Sequence, residues 1–111
     1  MSLSGLIATT LSASGLPVRP RVYDGTASQY ITYFLMVDSP VLHADNQLTD
    51  TESYIQVDLF SKTDPTNKVF EVKSLMKAAG FIYADHRELY EDDTKLFHDT
   101  FTFKITQKAP L

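Results

Sequence analysis

The side chains able to do chemistry in this chain are three histidines, fourteen carboxylates and a scatter of hydroxyls, and their spacing limits what they can do. His43, His86 and His98 form no His-x-x-x-His or other metal-ligand spacing; only His43 and Asp45 could chelate weakly from one loop, where an exposed loop histidine is the better reading. His86 falls in an acidic stretch and is expected to be solvated, whereas His98 sits on the polar side of a strand where cross-strand pairing accounts for it. Glu88, Glu91, Asp92 and Asp93 lack the alternating ligands and central glycine of a calcium loop. A glycosidase pair would need a cleft, so a hairpin tip is the simpler account. The glycines stand at 5, 15, 25 and 80, too scattered to cradle a phosphate. No serine or threonine is marked as activated. The absence of cysteine excludes thiolate nucleophiles, disulfides and cysteine-held zinc or iron–sulfur groups. The inventory predicts no catalytic residue, no metal site and no cofactor.

The elements around these residues come from length and pattern. At 111 residues, one domain is expected across residues 1–111, with enough chain for one hydrophobic core. Residues 1–3 could be an expression scar and are given no weight. Hydrophobic residues are 43% and charged residues 22%, values of an ordinary folded domain rather than a disordered one. No apolar run approaches the about 18 residues of a membrane span, and no basic segment precedes the modest apolar start, so neither a membrane nor a secretory signal is expected.

Leu6, Ile7 and Leu11 predict a short helix over residues 4–14, with Ser4 as its cap and Gly15 as its stop. Pro17 and Pro20 force an extended passage, and Asp24-Gly25 reads as a turn with glycine at positive φ. Tyr30 to Val37 is a strand with two apolar faces: Tyr30, Thr32, Phe34 and Met36 on one, Ile31, Tyr33, Leu35 and Val37 on the other. Residues 38–52 read as a loop, and Tyr54 to Phe60 resumes as a half-buried strand with Ile55, Val57 and Leu59 inward. Asp64 as N-cap, Pro65 at the first helical position and Gly80 at the end bracket a second helix with Val69, Val72, Leu75, Met76 and Ala79 as its stripe. Strands from Phe81 to Tyr90 and from Phe97 to Ile105 follow, joined through Glu91-Asp92-Asp93-Thr94, with Phe101 and Phe103 inward. The order α-β-β-α-β-β predicts an α+β domain, a mostly antiparallel four-stranded sheet with two helices packed on it.

Charge and surface point to interaction. Residues 22–61 contain no Lys or Arg but hold Asp24, Asp38, Asp45, Asp50, Glu52 and Asp58. With a net charge of −4, this argues against a protein that neutralises phosphates. The two-faced strand needs either the first helix or a neighbouring subunit on its second face, since burying a large apolar side chain contributes about 1.5–3 kcal/mol. Tyr30, Tyr33, Tyr54 and Phe60 are the candidate subunit contacts, and His43, Asp45 and Asp50 the candidate partner-facing acidic loop.

Six segments then occur in order: Val22-Tyr23-Asp24-Gly25-Thr26-Ala27, Tyr30-Ile31-Thr32-Tyr33, His43-Ala44-Asp45, Tyr54 to Lys62, Ala78-Ala79-Gly80-Phe81 and Leu89 to His98. Over roughly residues 3–105 the set resembles the tail-terminator, or head–tail joining, proteins of long-tailed bacteriophages and Gram-positive prophages. Phe97 stands where the family often has Tyr, and residues 38–52 match loosely. The resemblance implies a non-enzymatic virion protein assembled in the host cytoplasm. It would form a hexameric ring that stops tail-tube growth and meets the tail-tube and head-completion proteins, with DNA passing through the centre. Alternatives are another neck or tail-tube component, or a small non-catalytic ligand-binding or regulatory domain. In the ring reading, the stretch free of basic residues would repel the passing DNA. Asp45→Lys with Asp50→Lys is then expected to slow DNA ejection from assembled particles; ejection at the unaltered rate would contradict that role.

Overall fold

Alternation every two residues along three neighbouring strands decides the architecture. In the computed structural model, which describes residues 2–42 and 48–108, the elements run α1 (Leu3–Ser12), β1 (Val18–Pro20), β2 (Gln29–Leu42), β3 (Leu48–Ser61), α2 (Thr66–Ala78), β4 (Ile82–Glu91) and β5 (Leu96–Lys108). The strands form one sheet in the order β1-β2-β3-β5-β4. Antiparallel pairing places Ile31 beside Leu59, and Tyr33, Val57 and Phe101 in one row, then Ile55 beside Phe103. These side chains are at most 4% exposed and meet Ile7 and Leu11 of α1 and Val69, Val72 and Met76 of α2. Both helices therefore cover the same sheet face, because an isolated helix of ten or thirteen residues is marginal in water until its apolar stripe docks.

The α+β class with two helices on a sheet is as expected, but the sheet has five strands and is mixed. The proline passage supplies the fifth: Val18, Arg19 and Pro20 pair in parallel with Ile31, Thr32 and Tyr33. Of residues 38–52, expected as a loop, 38–42 and 48–52 are strand. Asp38 pairs with Ser53, Ser39 with Glu52, Pro40 with Thr51 and Val41 with Asp50, and Ser53 Oγ donates to Asp38 Oδ1. Among the described residues, β2 beyond Tyr33 has a neighbour on one side only, and an edge tolerates a proline that lacks an N–H. The hairpin carries the sheet past the helices as an arm, so the molecule measures 52 × 24 × 23 Å.

Several end signals shift. Ser2, not Ser4, caps α1 by accepting from Gly5 N at 3.0 Å, and Leu3 packs on the core, so Ser2 and Leu3 take part in the fold. Pro65 is the N-cap of α2, while Asp64 accepts from the amide and hydroxyl of Thr66 at 3.0 and 2.6 Å. Gly80 ends the helix as anticipated and takes φ +98°, letting the amides of Gly80 and Phe81 return to Lys77 O and Met76 O. Gly25 has no positive φ; it is constrained by proximity. A Cβ there would lie 2.2 Å from the hydroxyl of Tyr23, which folds over it to accept from Ala27 N. Leu75 is only half-buried.

Phe101→Ala is expected to cost about 3–5 kcal/mol in denaturant unfolding, against less than about 0.5 kcal/mol for Phe70→Ala at a 65%-exposed position.

Candidate functional site

The helices leave the other sheet face uncovered, and its side chains form an ordered surface. The even-numbered residues of β3 and β5, and those of β2 before its bulge, project there, and the pairing Tyr30–Phe60–His98 runs straight across three strands. Their rings stack: Tyr30 on Phe60 at 4.8 Å between centroids, and Phe60 on His98 at 4.2 Å. Tyr23, bent over Gly25, extends the row onto Tyr30 at 4.3 Å. Four nearly parallel rings thus make an apolar rail at one end of the uncovered face.

A charged pair fixes the end of the rail. His98 Nε2 lies 2.9 Å from Asp58 Oδ1, and Nδ1 lies 3.3 Å from Glu91 Oε2. With a carboxylate on each nitrogen, the ring is a donor at both, the arrangement of an imidazolium. Asp58, 6% exposed, also accepts from Gln56 Nε2 at 3.0 and 3.1 Å. The hydrogen bond that His98 donates to Asp58 raises its pKa above the ordinary 6.5, partial burial opposes this, and the charges of Asp58 and Glu91 add to the rise. Burial, then the Glu91 charge and Tyr23, pushes the Tyr30 hydroxyl upward too. Beside the rail, a shallow groove of about 290 Å³ runs between Met36, Gln56, Arg87 and Thr102.

Of the proposed contact residues, Tyr30 and Phe60 stand together in the rail. Tyr54 lies on the same face toward the arm, its hydroxyl donating to Glu52 at 2.8 Å. Tyr33 is separate: it is 4% exposed, sits under α1 and shares a hydrogen bond with Ser4 Oγ at 3.1 Å, so the chain's own helix covers it. Asp50 lies on the arm opposite Val41 and Lys108; His43 and Asp45 fall outside the described residues. The pattern missed Tyr23, whose place depends on the Gly25 approach, and the bulge in β2 around which Leu35, Met36 and Val37 of the two-faced strand are each about half exposed.

His86 also departs from expectation. Rather than solvated, it is a structural partner of Asp99, with Nε2 2.7 Å from Oδ2 and its ring flat on Phe101 at 4.5 Å. Register explains this: His86 pairs with Phe101 on the helix side of the sheet. The pair floors a cleft of about 370 Å³ between α2 and β4, rimmed by Phe70, Phe97 and Leu89. Among the described residues, no group of three His, Asp or Glu side chains could hold a metal ion, and no helix is long and apolar enough to cross a membrane.

No family model matches the chain, nor does any curated protein. Among solved structures, its fold is similar to that of a chain from the virion of a native gene transfer agent particle. The TM-score is 0.58 at 9% identity, over 93% of this chain and 84% of that one. At this identity the likeness is one of fold.

Because folding raises the His98 pKa, its stabilisation is complete below the unfolded value of about 6.5 and is lost as pH climbs through the higher folded value. Unfolding free energy is expected to fall as pH rises above about 6.5, with the slope reduced in His98→Gln; equal slopes in both proteins would contradict the imidazolium assignment.

Proposed function

We propose that this protein is a structural component of a phage-type virion that caps the tail tube and forms part of the head–tail joint as a ring of identical subunits. The observation that carries the reading is an aromatic, uncovered sheet face, continued by an apolar arm, on a fold similar to that of a gene transfer agent virion chain. Chains that act by fitting together need such surfaces, and a ring needs two different patches related by a rotation that closes. Tyr30, Phe60 and Tyr54 are the subunit contacts in this reading, joined by Tyr23 and by Met36 and Val37 on the arm. In this reading His43, Asp45 and Asp50 meet the tail-tube or head-completion partner, and DNA passes without specific binding. A second reading, another neck or tail-tube component, is favoured by the neighbour's origin in a virion, which carries no preference for the tail end.

Electron microscopy of particles made with and without the protein separates these readings. Overlong or ragged tails in its absence are expected, and tails of normal length would remove the capping role. Tyr30→Asp with Phe60→Asp, at partly exposed positions, is expected to reproduce the overlong tails while the chain still folds, as read by circular dichroism; normal tails from that variant would remove the rail from the subunit contacts.

A further inference from the structure

Among the described residues the sheet ends on β4 (Ile82–Glu91), which pairs only with β5 and is exposed except at His86 and Glu91. A long edge strand with free backbone groups is a template for another strand unless something blocks it. Here the usual blocks, charges and a bulge, are present, but their arrangement is self-complementary. Asp85, Arg87 and Leu89 lie on the uncovered face opposite Thr102, Thr100 and His98. His86 and Glu88 lie on the helix face opposite Phe101 and Asp99. Ala84 is the bulged residue, so Tyr83 is on the helix face, under Lys73 at 4.9 Å, and Ile82 is on the uncovered face opposite Lys104.

We infer that two copies of this chain pair antiparallel through β4, about a two-fold axis at His86, into one continuous sheet. In that register Asp85 meets Arg87 of the second copy, and the reverse, on the uncovered face. Past the bulge, Ile82 meets Leu89 there and Tyr83 meets Glu88 on the helix face. Residues paired across strands must share a face, which restricts the choice of axis. An axis at Asp85, Arg87 or Glu88 would put identical charges directly opposite, a destabilising arrangement, whereas the axis at His86 puts opposite charges together twice. The other sheet edge is less regular: β1 has three residues and ends in Pro20, and the free edge of β2 beyond Tyr33 is broken by the bulge between Leu35 and Val37 and by Pro40. Ile82 and Leu89, 54% and 49% exposed in the single chain, gain an apolar partner. This pairing rests on the edge strand alone and stands whether or not the protein ends phage tails.

Sedimentation velocity over a concentration series tests it. The protein is expected to move from its 12.5 kDa monomer to a dimer. Asp85→Arg and Arg87→Asp, each at an exposed position that the core does not need, are expected to weaken dimerisation about tenfold or more, because two symmetry-related pairs turn repulsive. The double variant Asp85→Arg with Arg87→Asp restores the pairs and is expected to regain the dimer. The natural chain has no cysteine, so a mixture of Asp85→Cys and Arg87→Cys chains is expected to oxidise to a mixed disulfide faster than either alone. A natural chain that stays monomeric throughout, single reversals that leave the dimer unchanged, or a double variant that stays monomeric would overturn the pairing.

Discussion

Two short helices must serve a sheet that carries large apolar side chains on both faces, and they can cover only one. Most of the molecule follows from that shortage. Ile31, Tyr33, Val57, Leu59, Phe101 and Phe103 take the covered face and, with α1 and α2, form the core. The uncovered face stabilises itself laterally instead. Its rings stack on one another across β2, β3 and β5, so each hides part of its neighbour from water, and the half-buried His98 is held by carboxylates from two strands. The result is a surface that is ordered in the single chain yet still presents aromatic area to solvent.

The order of elements, the inward residues of β3 and β5 and the stripe of α2 were legible because each depends on local periodicity. The failures share a cause: each depended on which strand lay alongside. Residues 38–52 are rich in Asp, Ser, Pro and Thr and read locally as turns, but the pairing of 38–42 with 48–53 supplies a ladder that overrides propensity. The Pro17–Pro20 passage became a parallel strand because β2 offered it an edge. His86 looked solvated from its acidic neighbours, and the bulge at Ala84, invisible in the pattern, helped set which face each β4 residue takes.

The candidate surface was half legible. Tyr30 and Phe60 were apparent as aromatics on the outward parity of two strands, and register then showed that they touch. Tyr33 was drawn to the same group by residue type, although its parity puts it with Ile31 in the core. Tyr23 could not be placed from its own segment, since its position depends on a glycine two residues on and a ring seven residues on. The acidic bias from 22 to 61 has a partial internal explanation: Asp58 serves His98 and Asp38 serves Ser53, so two of its carboxylates are engaged within the sheet.

The central claim is that the uncovered face works by meeting other protein chains. A particle map at side-chain resolution, containing this protein in place, tests it most directly. The account predicts Tyr30, Phe60 and His98 within van der Waals contact of a neighbouring chain. The same three rings facing open solvent, with the contacts made only elsewhere, would contradict it.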